Sequence, residues 1–322
     1  MIPNSVRLWK ETVNLETEAA DARILLSRAV EVIPQSVELW LALARLETPK
    51  QARAVLNKAR KAVPTSHEIW IAAGRLLEQE AEQPGKSSAE RAKELDVVDV
   101  TIDAGVKKLR EHQVMLTREQ WFKEAETCEA EASPRTCEAI IKATASMDIE
   151  EEDRFDTWLE DAESAESRGS IGTARAIIAY ALRVFPDRKT LWRRAADLEK
   201  AHGTRYLFQL TSSFPDSDRF AFRESLEDIL SRAVHHCPQA EVLWLMWAKE
   251  KWMGGDVPGA REVLEKSFVA NPESEAIWLA AVKLEAENGE LGVARELLVR
   301  ARSVADTERV CYSFTSLKSN SD

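Results

Sequence analysis

Glycine is scarce in this chain. Only 11 of its 322 residues are glycine, and none sits in a P-loop or a dinucleotide-binding turn, so phosphate-cradling chemistry has no loop to use. Cysteine is scarcer still. Cys128, Cys137, Cys237 and Cys311 fit no zinc spacing, and a reduced, intracellular state is the expectation. Long apolar runs are missing. The longest, Val242–Ala248, is far short of a membrane span, and no signal peptide opens the chain. β-branched alternating runs are essentially absent, which predicts almost no sheet. Positive charge is in deficit as well, with a formal net charge of −11. Non-specific nucleic-acid binding rests on neutralising phosphates with Lys and Arg. Most of this surface is therefore not a general RNA or DNA binder, although a local basic patch stays open.

Two residue types that are present stand in a fixed relation. Six prolines are each followed, six residues later, by a tryptophan: Pro3/Trp9, Pro34/Trp40, Pro64/Trp70, Pro186/Trp192, Pro238/Trp244 and Pro272/Trp278. A recurring helix breaker and aromatic anchor, at a period of about 34 residues, mark a helical repeat array. The segments between them are rich in Ala, Leu, Glu, Lys and Arg, which are helix formers. The fold class expected is all-α: an α-α superhelix, or solenoid, of about eight helix pairs. Such an array presents surfaces to partners, which argues against an ordinary enzyme.

Each unit reads as two helices. In the first, a small or apolar residue follows Trp by four, Leu by six and Glu by seven, as in Trp40, Ala44, Leu46 and Glu47. Trp192, Ala196, Leu198 and Glu199 repeat it, as do Trp278, Val282, Leu284 and Glu285, and Trp9, Val13, Leu15 and Glu16. These spacings put the Trp, the small residue and the Glu near one helical stripe. The second helix opens on Ala-Arg and reaches another small residue seven on: Ala22-Arg23 to Ala29, Ala52-Arg53 to Ala59, Ala174-Arg175 to Ala181, Ala260-Arg261 to Ser267 and Ala294-Arg295 to Ala301. Proline then ends the unit at Pro34, Pro64, Pro186, Pro238 and Pro272. Ser36, Thr65 or Ser66, and Ser274 are candidate caps for the next helix. Trp121 and Trp158 open two degenerate units, making eight with those at Trp9, Trp40, Trp70, Trp192, Trp244 and Trp278. The tryptophans read as core residues. The Glu of the first helix and the Arg of the second are set to pair within or between units, Glu47 with Arg53 and Glu285 with Arg295. Such pairs serve either as structural ion pairs or as partner contacts.

Trp-x-x-x-Ala-x-Leu-Glu, followed by Ala-Arg and a terminal Pro-x-Ser, resembles the half-a-TPR (HAT) repeat over residues 3 to about 310. The stretches Ser36–Thr48, Ala52–Arg60, Thr117–Trp121, Ile149–Asp161 and Ala240–Arg261 are similar, more specifically, to the pre-mRNA-processing factor 6 (Prp6) family of splicing scaffolds. The resemblance implies a nuclear, non-catalytic protein of the U4/U6-U5 tri-snRNP. It would bridge U5 to U4/U6 through contacts with spliceosomal snRNP proteins and meet snRNA only indirectly. No cofactor, metal, membrane or small-molecule substrate is implied. The family's members are longer, and the chain reads as a carboxy-terminal part of such an array. Two alternatives remain: another HAT scaffold, acting in rRNA processing or mRNA 3′-end formation, and a TPR-type adaptor gripping peptide tails. The adaptor needs a regular clamp of Lys, Arg and Asn after each Trp, and none is seen.

The pattern breaks in three places. Trp192 and Trp244 are 52 residues apart, against 34 for neighbouring units, and deleting residues 206–223 restores the interval. That segment holds five of the twelve Phe and Tyr residues and no Lys or Glu. It reads either as an aromatic surface loop or as translated non-coding sequence. After Ala301 no helical period survives, and 311–322 reads as a disordered tail. Trp70 and Trp121 are 51 apart around Pro84-Gly85-Lys86-Ser87-Ser88. There the first helix is expected to reach about Gln83 and the second to run from about Ala89 to Glu111. Three further features read as structural. His235-His236-Cys237 precedes a proline, and adjacent His residues cannot share a helical face for a metal. Gly254–Gly259 reads as the loop between paired helices. Glu150-Glu151-Glu152-Asp153 is set at a helix start, where the macrodipole favours carboxylates; an acidic docking patch is the alternative.

Overall fold

The computed structural model describes residues 5–83, 86–202 and 226–304. The 206–223 insertion, the 311–322 tail and Pro84-Gly85 lie outside them, as does Cys311. Regular structure among the described residues consists of sixteen α-helices and no strand. They are α1 (Val6–Leu15), α2 (Ala19–Val32), α3 (Val37–Leu46), α4 (Pro49–Ala62), α5 (His67–Ala81), α6 (Ser88–Glu111), α7 (Arg118–Ala130) and α8 (Pro134–Thr144). There follow α9 (Arg154–Ser167), α10 (Ile171–Val184), α11 (Lys189–His202), α12 (Leu226–His236), α13 (Glu241–Met253), α14 (Val257–Ala270), α15 (Glu275–Glu287) and α16 (Leu291–Val304). Each odd-numbered helix carries one repeat tryptophan. The contacts divide the chain into two compact units, Met1–Tyr180 and Ala181–Asp322.

In the first unit each helix from α1 to α6 packs on its chain neighbour, and α3 also meets α5, as α6 meets α8. In the second unit α11 packs on α12, α13 on α14 and α15 on α16, while α13 also meets α15. That is hairpin stacked on hairpin. The small residues of the second helices make the close approach feasible: Ala22, Ala29, Ala52, Ala59, Ala260, Ser267, Ala294 and Ala301 are all buried. Leu26, Leu39, Trp40, Leu56 and Ile69 form the core of the first hairpins. Trp278, Val282, Ala294 and Leu298 form that of the last. The leucine six residues after Trp behaves unevenly. Leu198 and Leu284 are buried, whereas Leu15 and Leu46 are exposed.

Helix ends follow local chemistry. Ser36, Ser66 and Ser274 do occupy N-cap positions, yet of the three only the Ser274 hydroxyl accepts an N–H, from Ile277 at 3.4 Å. The reciprocal caps sit elsewhere, at Ser87 with Glu90 and at Thr117 with Gln120, each pair satisfying two orphan donors. α5 stops at Ala81, two residues short of expectation, and α6 starts at Ser88. The Gly254–Gly259 segment is loop only to Asp256. Val257 to Gly259 already belong to α14, with Pro258 in its first turn and the Asp256 side chain accepting from Gly259 N at 2.9 Å.

Four hairpin turns share one construction. Gly169, Gly255 and Gly289 follow their helices at φ +86°, +83° and +85°, and Ala132 takes the same place at φ +57°. In each, the next residue's N–H reaches back to a carbonyl five positions earlier: Ser133 to Cys128, Ser170 to Ala165, Asp256 to Lys251 and Glu290 to Glu285. This is the left-handed helix stop that glycine favours.

Candidate functional site

The joints between hairpins explain the proline–tryptophan spacing. The indole N–H of Trp40 donates to the carbonyl of Pro34 at 2.9 Å, Trp192 to Pro186 at 2.7 Å, Trp244 to Pro238 at 2.9 Å and Trp278 to Pro272 at 2.9 Å. Proline stops one helix and exposes its own carbonyl. Six residues later the ring of the next helix's Trp lies over the joint and its N–H satisfies that oxygen. A buried indole needs such a partner. Pro238 uses both lone pairs, since the Asn271 side-chain amide also donates to it at 2.8 Å. The Cys237 thiol lies 3.7 Å from the Pro186 carbonyl in the same relation. Both donors immediately precede the following proline.

The remaining tryptophans depart from this geometry. Trp158 donates to the Ala145 carbonyl at 2.8 Å, and its ring meets Tyr180 edge-on at 5.1 Å. Trp70 has a proline six residues before it, at Pro64, yet its buried N–H finds no partner among the described residues. Its ring instead takes the Arg60 guanidinium 4.6 Å from the centroid and the backbone of Gly105 on α6. Trp9 is half-buried, and its Pro3 lies outside the described residues. Trp121, Trp158, Trp192, Trp244, Trp40 and Trp278 are all buried, the second and third at 1% exposure.

At three joints an arginine of one hairpin's second helix pairs with a glutamate of the next hairpin's first helix. Arg23 of α2 faces Glu47 of α3 at 3.9 Å, and Arg261 of α14 holds Glu285 of α15. The pairings of Glu47 with Arg53 and Glu285 with Arg295 are thus corrected: the partner is the arginine of the preceding hairpin, not of the same one. Arg53 pairs with Glu80 at 3.5 Å. The reason is geometric, because a first helix packs between two second helices and its Glu faces the earlier one.

Sequence reasoning missed two carboxylates that cap distant helices. Glu78 of α5 accepts from the N–H groups of Arg135 and Thr136 and from the Thr136 hydroxyl, at 2.7, 2.9 and 2.6 Å. Glu129 of α7 accepts from Gly172 N, Thr173 N and the Thr173 hydroxyl at 2.5, 2.8 and 2.8 Å. Each supplies negative charge to a helix start with orphan donors. The signal was there: both glutamates follow a repeat tryptophan, Trp70 and Trp121, by eight residues.

Between α6 and α8 lies a half-buried charge cluster. Arg135 pairs with Asp99 at 2.6 Å and Glu138 at 2.9 Å, and Lys142 with Asp99 at 2.9 Å. Burial pushes the Glu138 carboxyl up against the pull of both cations. Asp161 is likewise raised by burial although Arg118 holds it. Glu150, Glu151 and Glu152 are exposed in the turn before α9, with Glu151 3.3 Å from Arg154. His235 and His236 close α12, and His236 stacks on Trp192 at 5.5 Å. Among the described residues no cluster of three or more His, Cys, Asp or Glu side chains is placed to hold a metal ion. No helix there is long and apolar enough to cross a membrane.

No family model matches the chain. Curated proteins do. The pre-mRNA-splicing factor prp1 of Schizosaccharomyces pombe is 47% identical over 140 residues, 44% of this chain and 14% of that protein. Human pre-mRNA-processing factor 6 is 52% identical over 100 residues, 31% of this chain and 11% of that protein. Protein STABILIZED1 of Arabidopsis thaliana is 50% identical over 95 residues, 30% of this chain and 9% of its own. The chain therefore aligns with only a small part of each relative's length. Among solved structures, yeast Tom70 aligns at a TM-score of 0.36 and 12% identity, over 94% of this chain and 59% of that one. The Cut9–Hcn1 structure gives 0.32 and 10%, over 97% and 54%. Likenesses so low add nothing to what the helix pairing itself shows. The aligned segments of this chain are thus similar, at 47–52% identity, to segments of the splicing factors prp1 and pre-mRNA-processing factor 6.

Proposed function

We propose that this chain is a non-catalytic scaffold in pre-mRNA splicing, working in the nucleus through protein–protein contacts with spliceosomal snRNP proteins. Its task in this reading is to bridge the U5 and U4/U6 particles of the U4/U6-U5 tri-snRNP. The repeat array over residues 3–310 is the platform, and the joint tryptophans and prolines are its structural anchors. The 206–223 segment is an insertion in the sixth unit, and 311–322 is a tail outside the platform. The observation that carries the reading is the 47–52% identity to splicing factors across repeat segments. Hairpins joined by indole–carbonyl bonds and by ion pairs suit a holder of partners.

The test is to tag the chain, express it in cells, and sequence the RNA that co-purifies. Enrichment of U4, U5 and U6 together, with nuclear localisation, is the expected result. Enrichment of precursor rRNA instead would move the protein to ribosome assembly, and no snRNA above a tag-only control would overturn the reading.

A further inference from the structure

Three contacts recur where a second helix meets the next first helix. The residue just before the tryptophan is buried: Leu39, Ile69, Leu191, Leu243 and Ile277 are 0 or 1% exposed. The arginine of the Ala-Arg pair holds the glutamate seven residues after the tryptophan, as Arg23 does Glu47 and Arg261 does Glu285. The residue seven after that arginine lies on the tryptophan ring. Arg60 stands 4.6 Å from the centroid of Trp70, and Phe268 stacks on Trp278 at 4.1 Å. α1 and α16 carry the two halves of such a joint. Leu8, just before Trp9, is 53% exposed. Glu16, seven after Trp9, is exposed and in no ion pair among the described residues. On α16, Leu291, Arg295 and Arg302 fall on one helical stripe, and all three are exposed. Neither arginine is in an ion pair among the described residues.

We propose that α16 of one molecule seats on α1 of a second copy, building between chains the joint that recurs within the chain. Arg295 then meets Glu16, Arg302 lies over the Trp9 ring as Arg60 lies over Trp70, and Leu8 is covered. Charge selects this pairing. An α16–α16 contact sets Arg295, Arg300 and Arg302 against their own copies, with Glu296 the one carboxylate of that helix. Two α1 helices bring two Glu16 carboxylates and no second-helix arginine. An unrelated segment would need an apolar residue, a tryptophan and a glutamate in the same register, which a second copy already has. The contact is heterologous, so each molecule keeps a free surface of either kind and association continues unless a ring closes. The proposal rests on the joint geometry and not on which assembly the chain serves.

Sedimentation velocity of the full chain over rising concentration should show self-association that weakens as salt screens Arg295 and Glu16. Arg295→Glu and Glu16→Arg each place like charges across the joint, so either variant alone should associate about tenfold more weakly or less still. Mixed in equal amounts, the two should recover the association of the parent chain, because each supplies the charge that the other lacks. Both sites are exposed, and the unfolding midpoints of the variants should match the parent's. Should a reversal variant not fold, Leu8→Asp keeps the test, since a charge on that apolar contact should weaken association at low and high salt alike. A monomer at every concentration overturns the proposal and leaves both faces to hairpins of another protein. Reversals or a Leu8→Asp variant that associate as the parent does, or a mixture no stronger than its components, overturn it as well.

Discussion

Glu285 of α15 accepts from Nε and an Nη of Arg261 on α14, both at 2.7 Å. The carboxylate is buried, whereas the guanidinium side is half-exposed. The glutamate holds the arginine's charge more firmly, so the Arg261 pKa is raised by this hydrogen bond first. A carboxylate buried in a joint, with its cation supplied by the previous hairpin, makes folding of one hairpin depend on the other. Glu285→Ala should therefore lower the unfolding midpoint, and Arg261→Ala should lower it further, because it leaves a buried charge without a partner. Glu262, in an exposed i,i+4 pair with Lys266, is the control. Glu262→Ala should change the midpoint little. Urea melts of the three variants decide this, and equal midpoints would remove the joint's ionic contribution.

The indole–carbonyl bond predicts a graded series at Trp192. Trp192→Phe keeps most of the buried ring but leaves the Pro186 carbonyl with only the Cys237 thiol, 3.7 Å away, and should cost about 1–3 kcal/mol. Trp192→Ala adds a cavity and should cost about 3–5 kcal/mol. If phenylalanine costs as much as alanine, ring volume is not what matters there. If it costs nothing, the bond to Pro186 carries no weight.

Much of this was legible beforehand. The interval between Pro186 and Trp192 is a hydrogen bond written in sequence, since a carbonyl and an indole six residues apart meet only across a helix start. The partner of Glu285 was not legible. Spacing places Glu285 on a stripe, but choosing between Arg261 and Arg295 requires knowing which second helix lies against that stripe. The capping boxes at Ser87 with Glu90 and Thr117 with Gln120 obey a rule legible in sequence, a hydroxyl followed three residues on by Glu or Gln.

Ala132 predicts a stabilising substitution. It holds φ +57° at a turn where three other hairpins place glycine, and a left-handed conformation costs a residue with Cβ roughly 1–2 kcal/mol. Glycine's greater unfolded-state entropy returns part of that, so Ala132→Gly should raise stability by up to about 1 kcal/mol. The reverse exchange, Gly289→Ala, should lower it by about the same amount. Thermal melts of both variants check the sign, and a fall in the Ala132→Gly midpoint would contradict the turn analysis.

The cysteines predict a pH and reactivity pattern. Burial pushes the Cys128 and Cys137 thiols up to about 12 from an ordinary 9.0, so both stay protonated in the fold. Unfolded, they ionise from the ordinary value upward. The folded state then holds more protons than the unfolded state, and stability falls as pH rises from 9.0 toward about 12. Because the thiolate is the nucleophile, neither cysteine should react with iodoacetamide at pH 8 until the protein is unfolded. Peptide mapping after labelling, with and without urea, reads this directly. Modification of Cys137 at the unfolded rate in native buffer would mean that its contact with the Thr173 hydroxyl, 3.5 Å away, opens freely. A thiol screened by an inter-helix contact cannot report on solvent unless that contact breaks. The native labelling rate therefore also measures how often α8 and α10 part at that point.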